Sequence, residues 1–97
     1  MPHSKTTRLE IIHLRFADAF PSELVADIQR TIAEAENTPV ARVYRHATVG
    51  GDLSIHLHID ARSDDARVTE LGLRLTDALK TFGMVERTLW SEVEPGR

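Results

Sequence analysis

Apolar residues recur along this chain with two different periods. "RLEIIHLRF", residues 8–16, is dense in apolar and β-branched side chains and predicts a strand. Ile12, Leu14 and Phe16 fall on one face of it, Ile11, His13 and Arg15 on the other. Helix-start residues follow at Asp18, Pro21, Ser22 and Glu23. Leu24, Val25, Ile28, Ile32 and Ala35 then recur at helical spacing, which predicts a helix over 21–36. Pro39 ends it, because proline cannot continue a helix and disfavours helical geometry at Thr38. "ARVYRHATV", 41–49, predicts a second strand, and "GGD" a turn. "LSIHLHID", 53–60, predicts a third, with Leu53, Ile55, Leu57 and Ile59 on one face.

A second helix opens near Ser63 or Asp64, either of which can cap it. Its apolar stripe is Val68, Leu71, Leu75, Ala78, Leu79 and Phe82, and Gly83 stands where a glycine commonly ends a helix. "MVERTLWSEV", 84–93, predicts a fourth strand. Val85, Leu89 and Val93 face the core there, and Met84, Glu86, Thr88 and Trp90 face outward.

The predicted order is β-α-β-β-α-β. Right-handed crossovers fold this order into a four-stranded antiparallel sheet, strand order 4-1-3-2, with both helices on one face. That is an α+β fold of the ferredoxin-like kind. The 97 residues leave room for one domain, with an ordered core over about 8–93.

The hairpin register decides where the histidines lie. A two-residue Gly50-Gly51 loop pairs Thr48 with Leu53 and sends Tyr44, His46 and Thr48 to the apolar face. A three-residue loop pairs Val49 with Leu53, Ala47 with Ile55 and Val43 with Ile59, and its one misfit is Arg45. A one-residue slip flips every side chain, so the apolar pattern selects the second register. Arg45 then snorkels to water from an edge strand. In that register His46 opposes His56 and Tyr44 opposes His58, with His13 on the neighbouring strand.

The helix-free face would carry Ile11, His13, Tyr44, His46, His56, His58, Met84, Glu86 and Trp90. Large exposed apolar patches mark interfaces. The sheet offers a plate of roughly 300 Å² in projection, which side-chain relief and helix ends extend toward the ~800 Å² per partner of an ordinary interface. A two-fold homodimer through the free face is the expected partner.

Composition narrows the functions. The net charge of −3 provides no basic surplus for binding nucleic acid. No apolar run approaches the ~20 residues that span a bilayer, and "MPHSKTTRLE" lacks the apolar core of a secretory signal. The chain has no cysteine, which removes thiol chemistry and fits a cytoplasmic location. No cofactor is expected.

His56 and His58, alternate residues on one strand face, could share a metal ion with His46 or His13 as a further ligand. "G-x5-H-x-H", Gly50 to His58, is similar to the start of a cupin motif, but the glutamate that should follow is missing. Histidines on a wet or interfacial sheet face are the simpler reading. Tyr44 could donate a proton and Trp90 could stack on an aromatic ligand, although a lone tryptophan in a strand usually packs. Arg42, Arg45 and Arg87 could hold an anion.

Heavy-metal-associated domains need a Cys-x-x-Cys, which is absent. RNA-recognition motifs need aromatics on the first and third strands, and "EIIHLRF" and "SIHLHID" place none on the free face. The chain resembles small dimeric α/β-barrel proteins, the group that includes antibiotic-biosynthesis monooxygenase-like domains. The resemblance covers residues 8 to 93 and is one of topology. It rests on chain length, "GDLSIHLHI", the helix-glycine-strand run "ELGLRLTDALKTFGMVERTLW" and the lone Trp90. It implies two sheets closing a barrel, and either a cofactor-free monooxygenase-like enzyme or a small-ligand binder. Candidate catalytic residues are then His13, Tyr44, His46, His56 and His58, with Trp90 as candidate ligand contact. The alternative is a non-catalytic dimeric structural or regulatory module.

Overall fold

A computed structural model of the chain describes residues 7–16, 22–35, 40–48, 51–60 and 65–93. The elements are β1 (Thr7–Arg15), α1 (Ser22–Glu34), β2 (Val40–Arg45), β3 (Asp52–Asp60), α2 (Asp65–Leu79) and β4 (Met84–Ser91). Asp18, Pro21, Thr38, Pro39, Gly50, Ser63 and Asp64, expected as caps, breakers or turn residues, and Val49, expected at the end of the second strand, lie outside the described residues. The strands form one antiparallel sheet in the order β2-β3-β1-β4, which is the expected order read from its other edge. The fold is α+β.

Period-two alternation on the strands and the helical stripes meet on one side of that sheet. Ile12 and Leu14 of β1 and Leu53, Ile55 and Leu57 of β3 form a core with Leu24 and Ile28 of α1 and Leu71, Leu75 and Leu79 of α2. Ile12, Leu14, Ile55 and Leu57 are fully buried. Burial of such a side chain contributes about 1.5–3 kcal/mol. Ala78, expected in the α2 stripe, is exposed. Among the described residues, no helix is long and apolar enough to cross a membrane.

The hairpin departs from expectation. β2 stops at Arg45 and does not run to residue 49. Val43 pairs with Ile55 rather than Ile59, Arg42 opposes His56, and Val40 opposes His58. The loop is therefore longer than three residues. His46 N–H donates to Asp52 O (3.1 Å), and Phe16 N–H, just past the end of β1, reaches Gly51 O (2.8 Å). Thr48 N–H donates to His46 Nδ1 (3.1 Å), so the loop bends back on its own imidazole. These bonds satisfy backbone groups that a tighter turn would have placed in the ladder.

Gly83 also differs. It does not adopt the left-handed conformation of a helix-ending glycine; a Cβ there would lie 3.2 Å from the carbonyl carbon of Arg15. What demands glycine is close approach of two backbones. Val93, expected on the core face of β4, lies beyond the strand and is exposed.

One charged residue enters the core layer. Glu10 on β1 is 1% exposed and receives the Arg87 Nε–H of neighbouring β4. Arg87, considered above for an anionic ligand, therefore serves an internal carboxylate.

Candidate functional site

The side of the sheet without helices is ordered in rows, because antiparallel pairing sets cross-strand neighbours side by side. One row runs Val40, His58, Leu9, Trp90; the next Arg42, His56, Ile11, Thr88; the next Tyr44, Ser54, His13, Glu86. The polar positions of β3, Asp52, Ser54, His56 and His58, alternate with its buried leucines and isoleucines. The same alternation that builds the core thus lays a polar track on the opposite surface.

Two side-chain pairs define the centre of this face. His13 Nε2 lies 3.1 Å from Asp52 Oδ2. An ionised carboxylate only accepts, so Nε2–H is the donor and the neutral ring keeps its lone pair on Nδ1. Asp52 orients His13 in this way as a base. His56 Nε2 lies 2.9 Å from Ser54 Oγ. The acid and the hydroxyl engage different imidazoles, so no acid-histidine-serine relay forms. The Tyr44 ring tilts against His56, with centroids 4.5 Å apart.

The pKa of His56 is pushed below its ordinary 6.5, first by partial burial and second by the neighbouring His58. Burial removes water that would solvate the cation, and a second imidazolium repels it. His56 is thus held as a neutral ring that can accept or donate one proton.

A depression of about 410 Å³ opens here, lined by Ile11, His13, Ser54, His56, Glu86, Thr88 and Trp90. Trp90 is 57% exposed, and its Nε1–H donates to Thr88 Oγ1 at 2.9 Å. Val40, Tyr44 and Met84 add large exposed side chains to the same face.

The fold brings His13, His56 and Trp90 to this depression, with Tyr44 against its imidazole and His58 one row further along β3. His46 is not among them. It sits at the hairpin end beside Asp52 and does not oppose His56. Tyr44 opposes Ser54, not His58. The proposed His46, His56, His58 ligand set is therefore not assembled, and among the described residues no group of three or more His, Cys, Asp or Glu is placed to hold a metal.

Sequence reasoning missed Asp52 and Ser54. Asp52 read as a turn residue, and Ser54 as a strand position without a role. The signal was present in "DLSIHLH": both share the parity of His56 and His58, and so had to share their face once β3 began at Asp52.

In comparisons with known proteins, no protein-family model matches the chain, and no curated protein or solved structure matches it.

Proposed function

We propose that this chain is the protomer of a ferredoxin-like dimeric α/β barrel, as its topology-level resemblance to the antibiotic-biosynthesis monooxygenase-like group implies. Two copies stack free face on free face and enclose a chamber for a small molecule. The observation that carries the reading is the composition of that face. Exposed Val40, Tyr44, Met84 and Trp90 surround a floor of His13, Ser54 and His56. Apolar side chains with a polar centre suit an interface that seals at its rim and stays chemically active within. Sheets stacked face to face lie about 10 Å apart, close enough for both depressions to merge into one space.

The chemistry of such a chamber is proton transfer. His13, oriented by Asp52, takes a proton from a bound substrate, and neutral His56 hydrogen-bonds its developing charge. Trp90 supplies a flat apolar wall.

Light scattering coupled to size exclusion tests the assembly. The wild-type protein is expected at twice its 10.9 kDa chain mass. Ile11→Lys, at the middle of the free face, is expected to run as a monomer with unchanged circular dichroism. A wild-type protein that stays monomeric at high concentration sinks the reading.

A further inference from the structure

We infer that the groove between α1 and the end of the β2–β3 hairpin binds a small apolar monocarboxylate. It is lined by Val25 and Gln29 of α1, Val43 and Arg45 of β2, and His46 and Leu53, and its volume is about 590 Å³. Small-molecule sites typically span about 300–1,000 Å³.

The groove exists because α1 sends its long apolar residues elsewhere. Leu24 and Ile28 are buried in the central core, while Val25 and Gln29 border the groove at the side of edge strand β2. Val43 and Arg45, paired with Ile55 and Leu53, lie with Ala41 on the helix side of β2. A valine and a long, exposed arginine leave a slot where larger apolar residues would have closed it.

Its chemistry is one-sided. Val25, Val43 and Leu53 give an apolar floor, and Arg45 stands at the rim. No carboxylate lines the groove, and the Arg45 guanidinium has no ion-pair or hydrogen-bond partner among the described residues. A guanidinium without a carboxylate partner beside an apolar slot is locally complementary to an anion. A guanidinium matches the planar fork of a carboxylate in a bidentate pair. One cation matches a monoanion better than a phosphate dianion. An apolar body on the floor excludes water and strengthens the pair. The Gln29 amide adds a neutral donor at the same rim.

Tyr44 and Ala47 also border the groove, and Tyr44 belongs to the opposite face; Arg45 lies on the helix side, so Arg45→Gln leaves the face proposed for the dimer unaltered. Octanoate is the probe, with octan-1-ol and octylammonium as arms of equal chain length. Calorimetry gives affinity, and amide chemical shifts give location. Octanoate is expected to bind saturably and to shift Val25, Val43 and Leu53. Octylammonium and octan-1-ol are expected to bind about tenfold more weakly or worse, and Arg45→Gln to lose about tenfold for octanoate only. Arg45 is exposed, so the variant is expected to keep its fold, which circular dichroism checks. Absence of saturable octanoate binding, equal binding of all three probes, an unaffected Arg45→Gln, or shifts confined to the free face would each overturn the assignment.

Discussion

Glu10 and Gly72 are fitted to each other across the sheet–helix interface. A Cβ at residue 72 would stand 2.7 Å from Cδ and 2.8 Å from Oε1 of Glu10. Glycine in mid-helix costs about 0.5–1 kcal/mol relative to alanine; here it makes room for a buried carboxylate that is ion-paired to Arg87. Gly72→Ala should therefore lower stability by about 1–3 kcal/mol, against its helix propensity. Urea denaturation measures this, and a stabilised variant would show that the carboxylate moves freely.

Arg87 is the counter-ion of that carboxylate through Oε2, and Glu10 Oε1 has no hydrogen-bond partner among the described residues. Arg87→Met strands a buried charge and should cost about 3 kcal/mol. The double variant Glu10→Leu, Arg87→Met should recover most of the loss, because it removes the charge with its partner. Equal destabilisation by single and double variants would assign the effect to packing.

His56 makes stability depend on pH. Its folded pKa lies below 6.5, so the unfolded chain takes up this proton first as pH falls. The stability associated with the neutral ring is complete above about 6.5, declines as pH falls toward the folded pKa, and is constant below it. Thermal unfolding followed from about pH 7.5 to about pH 5 should show this decline, and His56→Gln should flatten it. An identical slope in both proteins would place the linkage on another group.

Asp52 fixes the proton of His13. The neutral ring should show a directly bonded Nε2–H signal in nitrogen-edited spectra, protected by the 3.1 Å contact. Asp52→Ala should erase that signal through exchange with water and cost about 1 kcal/mol. A signal that persists in the variant would mean that another group holds the ring.

The limits of reading the chain are plain at particular residues. Ile55 and Leu57 sit between histidines and a serine, and that alternation is enough to place them in the core and the polar residues opposite. Glu10 broke the pattern. It lies in phase with Ile12 and Leu14, so periodicity pointed it inward, but a lone carboxylate normally argues against burial. Its licence comes from Arg87 and Gly72, both distant in sequence and brought close only by the fold.

The chain by itself determined the element order and the face to which each strand residue points. Those follow from backbone geometry, which acts over a few neighbouring residues. The hairpin register was decided only in three dimensions. Pairing Val43 with Ile59 or with Ile55 keeps every side chain on the same face, so the apolar pattern is equally content with both. Hydrogen bonds from His46 to Asp52 and from Phe16 to Gly51 select the longer loop. That choice moved His46 away from His56 and left Asp52 free to hold His13.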